Sequence, residues 1–292
     1  MRKEIERQYA EVSEELRELW GVELDLLNHF ASICNKYQLR WFVDGGTLLG
    51  AVRHHGFIPW DDDVDIIMPY DDYCKLCELA DEFSEPYFLQ TWKTQAGWRP
   101  FLCRLRRSDT TGYVYREKFY PDNWNKGIFI DIFAMSYIPD NRIKAGLQQL
   151  IMRILRFLYF GYEANRDKVA AADNKYLDAV IKGTYSMFSA FRRNKQIDKL
   201  SALYVKIGGW QKTASRYCGP LLFRPYSKGL IWESDWYKST KMIEFMDLSV
   251  PSPSDYDNRL TCQYGDYMTP VKAPSYHGGI TFDSHHSYKD KE

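Results

Sequence analysis

The chain has no excess charge of either sign: 39 lysines and arginines balance 39 aspartates and glutamates over 292 residues. Proteins that grip a nucleic-acid backbone normally carry a basic excess, so DNA or RNA is not an expected partner. No run of about 18 apolar residues occurs, which leaves no candidate for a membrane-crossing helix. The opening residues, Met1-Arg-Lys-Glu-Ile-Glu-Arg-Gln8, are charged and lack an apolar signal core, so a cytoplasmic protein is expected. Cysteine is sparse: Cys34, Cys74, Cys77, Cys103, Cys218 and Cys262 do not suggest a disulfide scaffold. Cys74 and Cys77 form a Cys-x-x-Cys, but they sit in a helical pattern with no second pair at matching spacing. Buried thiols on a helix fit them better than a zinc or redox centre. Internal repeats and long low-complexity linkers are also missing.

What the chain does have is aromatic and acidic. Hydrophobic residues make up 45% of it and aromatics 16%, enough for a substantial core. Asp61, Asp62, Asp63 and Asp65 fall within five residues and run into Val64, Ile66, Ile67 and Met68, an apolar strand signal. A strand over 63–68 would put Asp63 and Asp65 on one face and Asp62 on the other. Neighbouring carboxylates repel each other and cost desolvation energy, and a hard divalent cation with oxygen ligands relieves both. Mg²⁺ or Mn²⁺ is therefore the expected cofactor. Asp61 and Asp62 read either as supports for those ligands or as braces of the loop.

Seventeen residues before Asp63, Gly45-Gly46-Thr47 offers backbone amides and a hydroxyl that suit a phosphate near a helix start. Arg53, with His54 beside it, suits a bidentate phosphate contact or, alternatively, a pairing with Asp61 or Asp62. Trp60, next to the aspartates, and Trp98 are candidates for an aromatic contact to a quaternary ammonium group. Asp131 is one charge inside the apolar stretch Gly127-Ile-Phe-Ile-Asp-Ile-Phe133. Burying it is expensive unless it binds metal or pairs with Arg104 or Arg106. A phosphate cradle with a metal-binding Asp-x-Asp reads as phosphoryl transfer.

Hydrophobic periodicity predicts a helix over 3–38, a short strand over 40–44, a helix over 47–53 and, after Pro69, a helix from Asp71 to about Phe83. Strands are expected over 87–91, 101–107, 112–115 and 128–133. Residues 140–207 read as mostly helical, and Leu147, Leu150, Ile151, Ile154, Leu155 and Leu158 form a stripe opposite Arg153 and Arg156. That stripe faces a core or lies on a membrane surface. Beyond Gly208-Gly209 the chain reads as irregular, with a short helix near 254–264.

Gly-Gly-Thr, a short helix and Asp-x-Asp on a strand resemble the nucleotidyltransferase superfamily. The fuller strings Gly46-Thr-Leu-Leu-Gly-Ala-Val-Arg-His54 and Gly56-Phe-Ile-Pro-Trp-Asp-Asp-Asp-Val-Asp-Ile66 resemble one branch, the LicD family of phosphocholine and sugar-phosphate transferases. Gly127–Phe133, Tyr264-Gly-Asp-Tyr-Met268 and His285-His286 extend the likeness over roughly 20–286. The interval from Gly46 to Asp63 is long for the superfamily and ordinary for this branch. The resemblance implies one α+β domain over 1–292: a nucleotidyltransferase-like mixed β-sheet flanked by helices over 20–140, a helical extension over 141–207, and an irregular part over 208–292 that completes the site. It implies that Asp63, Asp65 and Asp131 are catalytic and bind metal. It implies a CDP-activated alcohol donor, most often CDP-choline, and a glycan or lipid-linked glycan acceptor, with CMP released. It also allows His285 or His286 to reach the site, and peripheral membrane contact through the 147–158 helix. Two other functions share these residues: addition of a nucleotide to a small molecule or protein, and non-catalytic binding on the same fold.

Overall fold

The computed structural model describes residues 7, 9–115, 117, 120–167, 194–221, 229–271 and 279–290. Ser13 starts the first long helix, α1 (Glu14–Lys36): its hydroxyl accepts from the Leu16 N–H at 3.2 Å, and Glu14 and Glu15 sit at the positive end. The helix predicted from residue 3 is interrupted by non-helical residues 11–13, and residues 3–6 and 8 lie outside the described residues. Leu19, Trp20, Leu26, Leu27 and Phe30 form the buried face of α1.

There follow β1 (Phe42–Val43), α2 (Gly45–His54), β2 (Asp65–Pro69), α3 (Tyr70–Glu78), β3 (Tyr87–Gln90), β4 (Leu102–Arg107), β5 (Thr111–Val114) and β6 (Ile128–Ile138). Then come α4 (Arg142–Asp167), α5 (Asn194–Gly208), β7 (Tyr217–Pro220), β8 (Trp232–Glu233), β9 (Thr240–Phe245), β10 (Leu248–Pro253), α6 (Tyr256–Tyr264) and β11 (Ile280–Asp283). The main sheet runs β1-β2-β6-β4-β3, with β7 and β8 added on the β4 side. Strand β6 is its axis. One edge pairs in parallel with β2, while the other pairs antiparallel with β4 along its first half and with β7 along its second. α1 packs on β6 and β4, so helix and sheet share one core.

Three expectations are corrected here. β6 runs on to Ile138 instead of stopping at Phe133, because β7 supplies partners for Met135–Ile138. The stretch after residue 208 is not irregular: it holds β7 and β8, the β9–β10 hairpin, α6 and β11. Its strands find partners far away in sequence, as β7 does on β6 and β11 on β5. Pro251 and Pro253 in β10 look like breakers, but among the described residues β10 pairs with β9 alone and proline is tolerated on such an edge. Finally, the aspartate strand begins at Asp65, not Asp63.

The apolar residues of α4 divide between two sides. Met152, Leu155 and Tyr159 are buried, whereas Ile143, Leu147, Leu150, Ile154 and Phe157 are exposed. Residues 168–193, within the predicted helical extension, lie outside the described residues. No helix among the described residues is long and apolar enough to cross a membrane. All six cysteines are free, and the Cys77 sulfur lies 3.4 Å from that of Cys103 on β4, which supports packing over a Cys74–Cys77 metal pair.

Candidate active site

The site begins where β1 turns into α2. Asp44 occupies the N-cap position, yet its carboxylate makes no cap bond. It is held instead by Arg259 from α6 at 2.8 Å. Arg259 also donates to the Tyr237 hydroxyl at 2.9 Å and stacks 4.0 Å from the Trp232 ring centroid. Gly45 follows with φ +55, a conformation that side chains resist. A Cβ there would sit 2.7 Å from Asp65 Oδ2, and one on Gly46 would sit 2.6 Å from Asp61 Oδ2. The glycine pair thus lets the positive end of α2 approach two carboxylates directly. Gly45→Ala should lose about 1–2 kcal/mol of stability from the left-handed backbone alone. It should also displace Asp65, so initial rates ought to fall further than thermal melts would suggest.

Asp65 is tied down by its backbone. Its N–H donates to Thr47 Oγ1 at 2.8 Å, and its carbonyl accepts from the Asp44 N–H at 3.0 Å. In the sheet register Asp65 stands opposite Asp131, and Asp131 opposite Arg104. Residues directly opposite each other project from the same face. Three neighbouring strands therefore present Asp65, Asp131 and Arg104 in one row. Arg104 Nε contacts Asp131 Oδ1 at 2.5 Å, and the same guanidinium holds buried Glu117, which Arg106 grips from its other side at 3.0 Å. The ion-pair alternative for Asp131 is thus formed, with Arg104, and it leaves the carboxylate in the row.

Electrostatics mark the row as strained. Burial, then the charges of Asp63, Asp131, Asp44 and Asp61, push the Asp65 carboxyl well above the usual range. Burial also raises Asp131, against the opposing pull of Arg104. Glu117 goes the other way: burial favours its neutral form, but Arg104 and Arg106 outweigh it and hold the carboxyl low.

Asp61–Val64 precede β2, and the ladder to β6 starts only at Asp65. Strand alternation accordingly does not separate Asp62 from Asp63. Carboxylate oxygens of Asp61, Asp62 and Asp63 all lie within 4.8 Å of one another. Asp62 Oδ2 also accepts from the Ile280 N–H at 2.9 Å, tying β11 to the loop, and the Asp61 carbonyl accepts from Trp20 Nε1 at 2.9 Å. A crowded set of hard oxygen donors suits Mg²⁺ or Mn²⁺.

The other predicted residues divide. Thr47 is buried, with its hydroxyl spent on Asp65, so it positions the aspartate strand. Arg53 and His54 are buried toward the opposite end of α2, about 12 Å along the axis from Gly45. Arg53 donates to the Tyr267 carbonyl at 2.7 Å and to His54 Nδ1 at 3.3 Å, rather than to Asp61 or Asp62. Burial, with Arg53 and His55 adding to it, lowers the His54 pKa to about 4, so the imidazole is neutral at pH 7. Trp60 is half-buried against the core beside the aspartates. Trp98 is only 1% exposed, with its ring 5.5 and 5.7 Å from the Arg104 and Arg106 guanidiniums, so it is closed to any ligand. His285 faces Glu18 of α1 at 3.1 Å and His286 faces Asp283 at 3.0 Å; both fasten the end of β11.

Sequence reasoning passed over Asp44, Arg259 and Tyr264. Tyr264 is partly exposed, yet burial around its hydroxyl and the charges of Asp44, Asp65 and Asp61 raise the phenol, which puts it in the field of the site. Its place in Tyr264–Met268 was the one available signal; the Asp44–Arg259 pair, 215 residues apart, left none.

Residues 38–150 match the LicD/FKTN/FKRP nucleotidyltransferase domain. The chain is 29% identical over 273 residues to the lipopolysaccharide cholinephosphotransferase LicD of Haemophilus influenzae, covering 87% of this chain and 91% of that one. It is 27% identical over 109 residues to mouse ribitol 5-phosphate transferase FKRP, covering 37% of this chain and 16% of that one.

Proposed function

The chain belongs to the LicD family, and on that footing we propose that it is a metal-dependent phosphoalcohol transferase with a nucleotidyltransferase-type core. It moves phosphocholine from CDP-choline to a sugar hydroxyl of a glycan precursor and releases CMP. The observation that carries this reading is the Asp65–Asp131 pair on adjacent strands, set beside the converging Asp61–Asp63 loop and the glycine-opened start of α2.

Asp63, Asp65 and Asp131 would hold Mg²⁺ or Mn²⁺, with Asp61 and Asp62 alongside. When bound, the cation supplies positive charge to the diphosphate and to the departing CMP. Gly45 and Gly46 add no side chain of their own at the start of α2, so its first amides would meet a phosphate oxygen there. Asp131, with its carboxylate oriented by Arg104, accepts the proton of the acceptor hydroxyl. The acceptor oxygen bonds to the phosphorus that carries choline, and the bond from that phosphorus to the CMP oxygen breaks. Trp60 and Tyr264 would offer aromatic faces to a trimethylammonium group. The exposed stripe Leu147, Leu150, Ile154 and Phe157 on α4 suits peripheral contact with a membrane bearing a lipid-linked acceptor.

Calorimetry with CDP-choline, CDP-ethanolamine, CDP-glycerol and CDP-ribitol, each with Mg²⁺, tests the donor. A desolvated cation–π contact contributes about 2 kcal/mol, so CDP-choline should bind roughly thirtyfold more tightly than the uncharged alcohols' derivatives. Equal binding of all four removes the choline preference, and tighter binding of CDP-ribitol replaces it. No binding by any of them refutes the CDP-alcohol class. Donor labelled in the nucleotide separates the rival reaction, since a nucleotidyltransferase would leave that label on the acceptor.

A further inference from the structure

An aspartate at the N-cap of a helix normally turns its carboxylate onto the N–H groups two or three residues on. Elsewhere this chain follows that rule. Ser13 accepts from Leu16 at the start of α1, Asn141 accepts from Ile143 and Lys144 at the start of α4, and Asp255 accepts from Asn258 at the start of α6. Asp44 departs from it. Its carbonyl accepts the first α2 bond, from the Leu48 N–H at 3.0 Å, but its side chain makes no cap bond. The N–H groups of Gly45, Gly46 and Thr47 thus precede the helical ladder, and the carboxylate best placed to take them is turned elsewhere.

Arg259 is what turns it. Arg259 Nη2 donates to Asp44 Oδ2 at 2.8 Å, and both residues are buried. A charged donor holds a carboxylate more strongly than a neutral amide does. The guanidinium is itself fixed: its Nε donates to the Tyr237 hydroxyl at 2.9 Å, and it lies 4.0 Å from the Trp232 ring centroid. Tyr237 in turn packs edge-on against Phe42 of β1, with ring centroids 5.3 Å apart. Arg259 therefore cannot follow Asp44 toward α2 without breaking contacts to β8 and to the one-turn helix Ser234–Tyr237. Freed from Arg259, the Asp44 carboxylate would have the Gly46 and Thr47 amides as its nearest alternative, and it would bring a negative charge to them.

We propose that Arg259 is a positioning residue for the donor: by holding the Asp44 carboxylate toward α6, it stops the chain from capping α2 itself and leaves the first amides to the donor's phosphate. It rests on the phosphate role given to α2 above, and adds a residue more than 200 positions away that protects that role.

Wild type and variants would be titrated by calorimetry, with Mg²⁺ present, using CDP-choline and CDP-ribitol, which share the diphosphate and differ in the alcohol. Each protein would also be melted without ligand. Asp44→Asn keeps a side chain that caps well but removes the charge that Arg259 holds, whereas Asp44→Ala can do neither. Asp44→Asn should melt higher than Asp44→Ala, yet bind the donor about tenfold more weakly. Arg259→Met should weaken the donor by about tenfold or more, and adding Asp44→Ala to it should restore most of the loss. A residue that merely tied α6 to the sheet would not be rescued by a second truncation beside it. If Arg259→Met does not fold, the contrast between Asp44→Asn and Asp44→Ala decides. Equal binding by those two, or an Arg259→Met defect that Asp44→Ala leaves in place, would overturn the role of Arg259 while wild-type binding keeps the donor reading. No binding of either donor by wild type would overturn both.

Discussion

Asp63→Asn and Asp65→Asn should each lower the rate of CMP release from CDP-choline by about a thousandfold or more, because a metal ligand in phosphoryl transfer supplies several kcal/mol of transition-state stabilisation. The same variants should be at least as stable as wild type in the presence of a chelator. Burial and the charges of Asp63, Asp131, Asp44 and Asp61 raise the Asp65 carboxyl in the folded protein. A carboxyl whose folded pKa is raised contributes stability at low pH and loses it as pH climbs through the folded value. Asp65→Asn escapes that loss. Its advantage in Tm over wild type should therefore be present at pH 8 and shrink as pH falls toward 4. Melting curves of both proteins in chelator across that range measure it. A variant that is active with its ligand removed, or that melts well below wild type at pH 8, would refute the assignment.

Arg104 and Asp131 should separate stability from catalysis. Arg104→Met leaves the buried Glu117 and the partly buried Asp131 with less positive charge, and of the two arginines Glu117 keeps Arg106. Breaking a buried pair in this way costs about 3–5 kcal/mol, or roughly 10 °C in Tm for a protein of this size. Asp131→Asn removes the opposite partner, but Arg104 keeps Glu117, so the stability loss should be clearly smaller. Its catalytic effect should be larger than its effect on binding. Loss of a general base lowers kcat by about 10²–10⁴, while donor affinity stays near wild type. Chemical denaturation gives the first comparison, and calorimetry with single-turnover rates gives the second. If Asp131→Asn turns over normally, the carboxylate is a partner of Arg104 and nothing more. If it is as unstable as Arg104→Met, the ion pair is its main role.

The candidate site's central segment was legible because its residues lie close together in the chain. Gly45-Gly46-Thr47 and Asp61–Asp65 lie within 21 residues, and each carries its own signal: glycines and a threonine that suit a phosphate near a helix start, and aspartates entering an apolar strand. Asp131 was legible for a different reason, as a lone charge in an otherwise apolar run. Some local boundaries were harder to read. The start of β2 depends on where β6 provides a partner, and a strand read from alternation alone began two residues early and turned Asp62 away from Asp63.

By itself the sequence determined the chemistry on offer: a balanced net charge, a glycine-opened helix start, a group of crowded carboxylates, and one further carboxylate in an apolar strand. Those properties reside in residue type and short-range spacing. Only the tertiary structure decided how they are used. It brought Arg259 to Asp44 across 215 positions, set Arg104 against Asp131 through the strand register, and turned Arg53 toward Tyr267. It also buried Glu23 of α1 with no hydrogen-bond partner for its carboxylate among the described residues. The physical reason is that a charge buried in a protein is judged by what lies within a few ångströms of it. Those neighbours come from strand register and helix packing, which join residues that no local pattern in the chain connects.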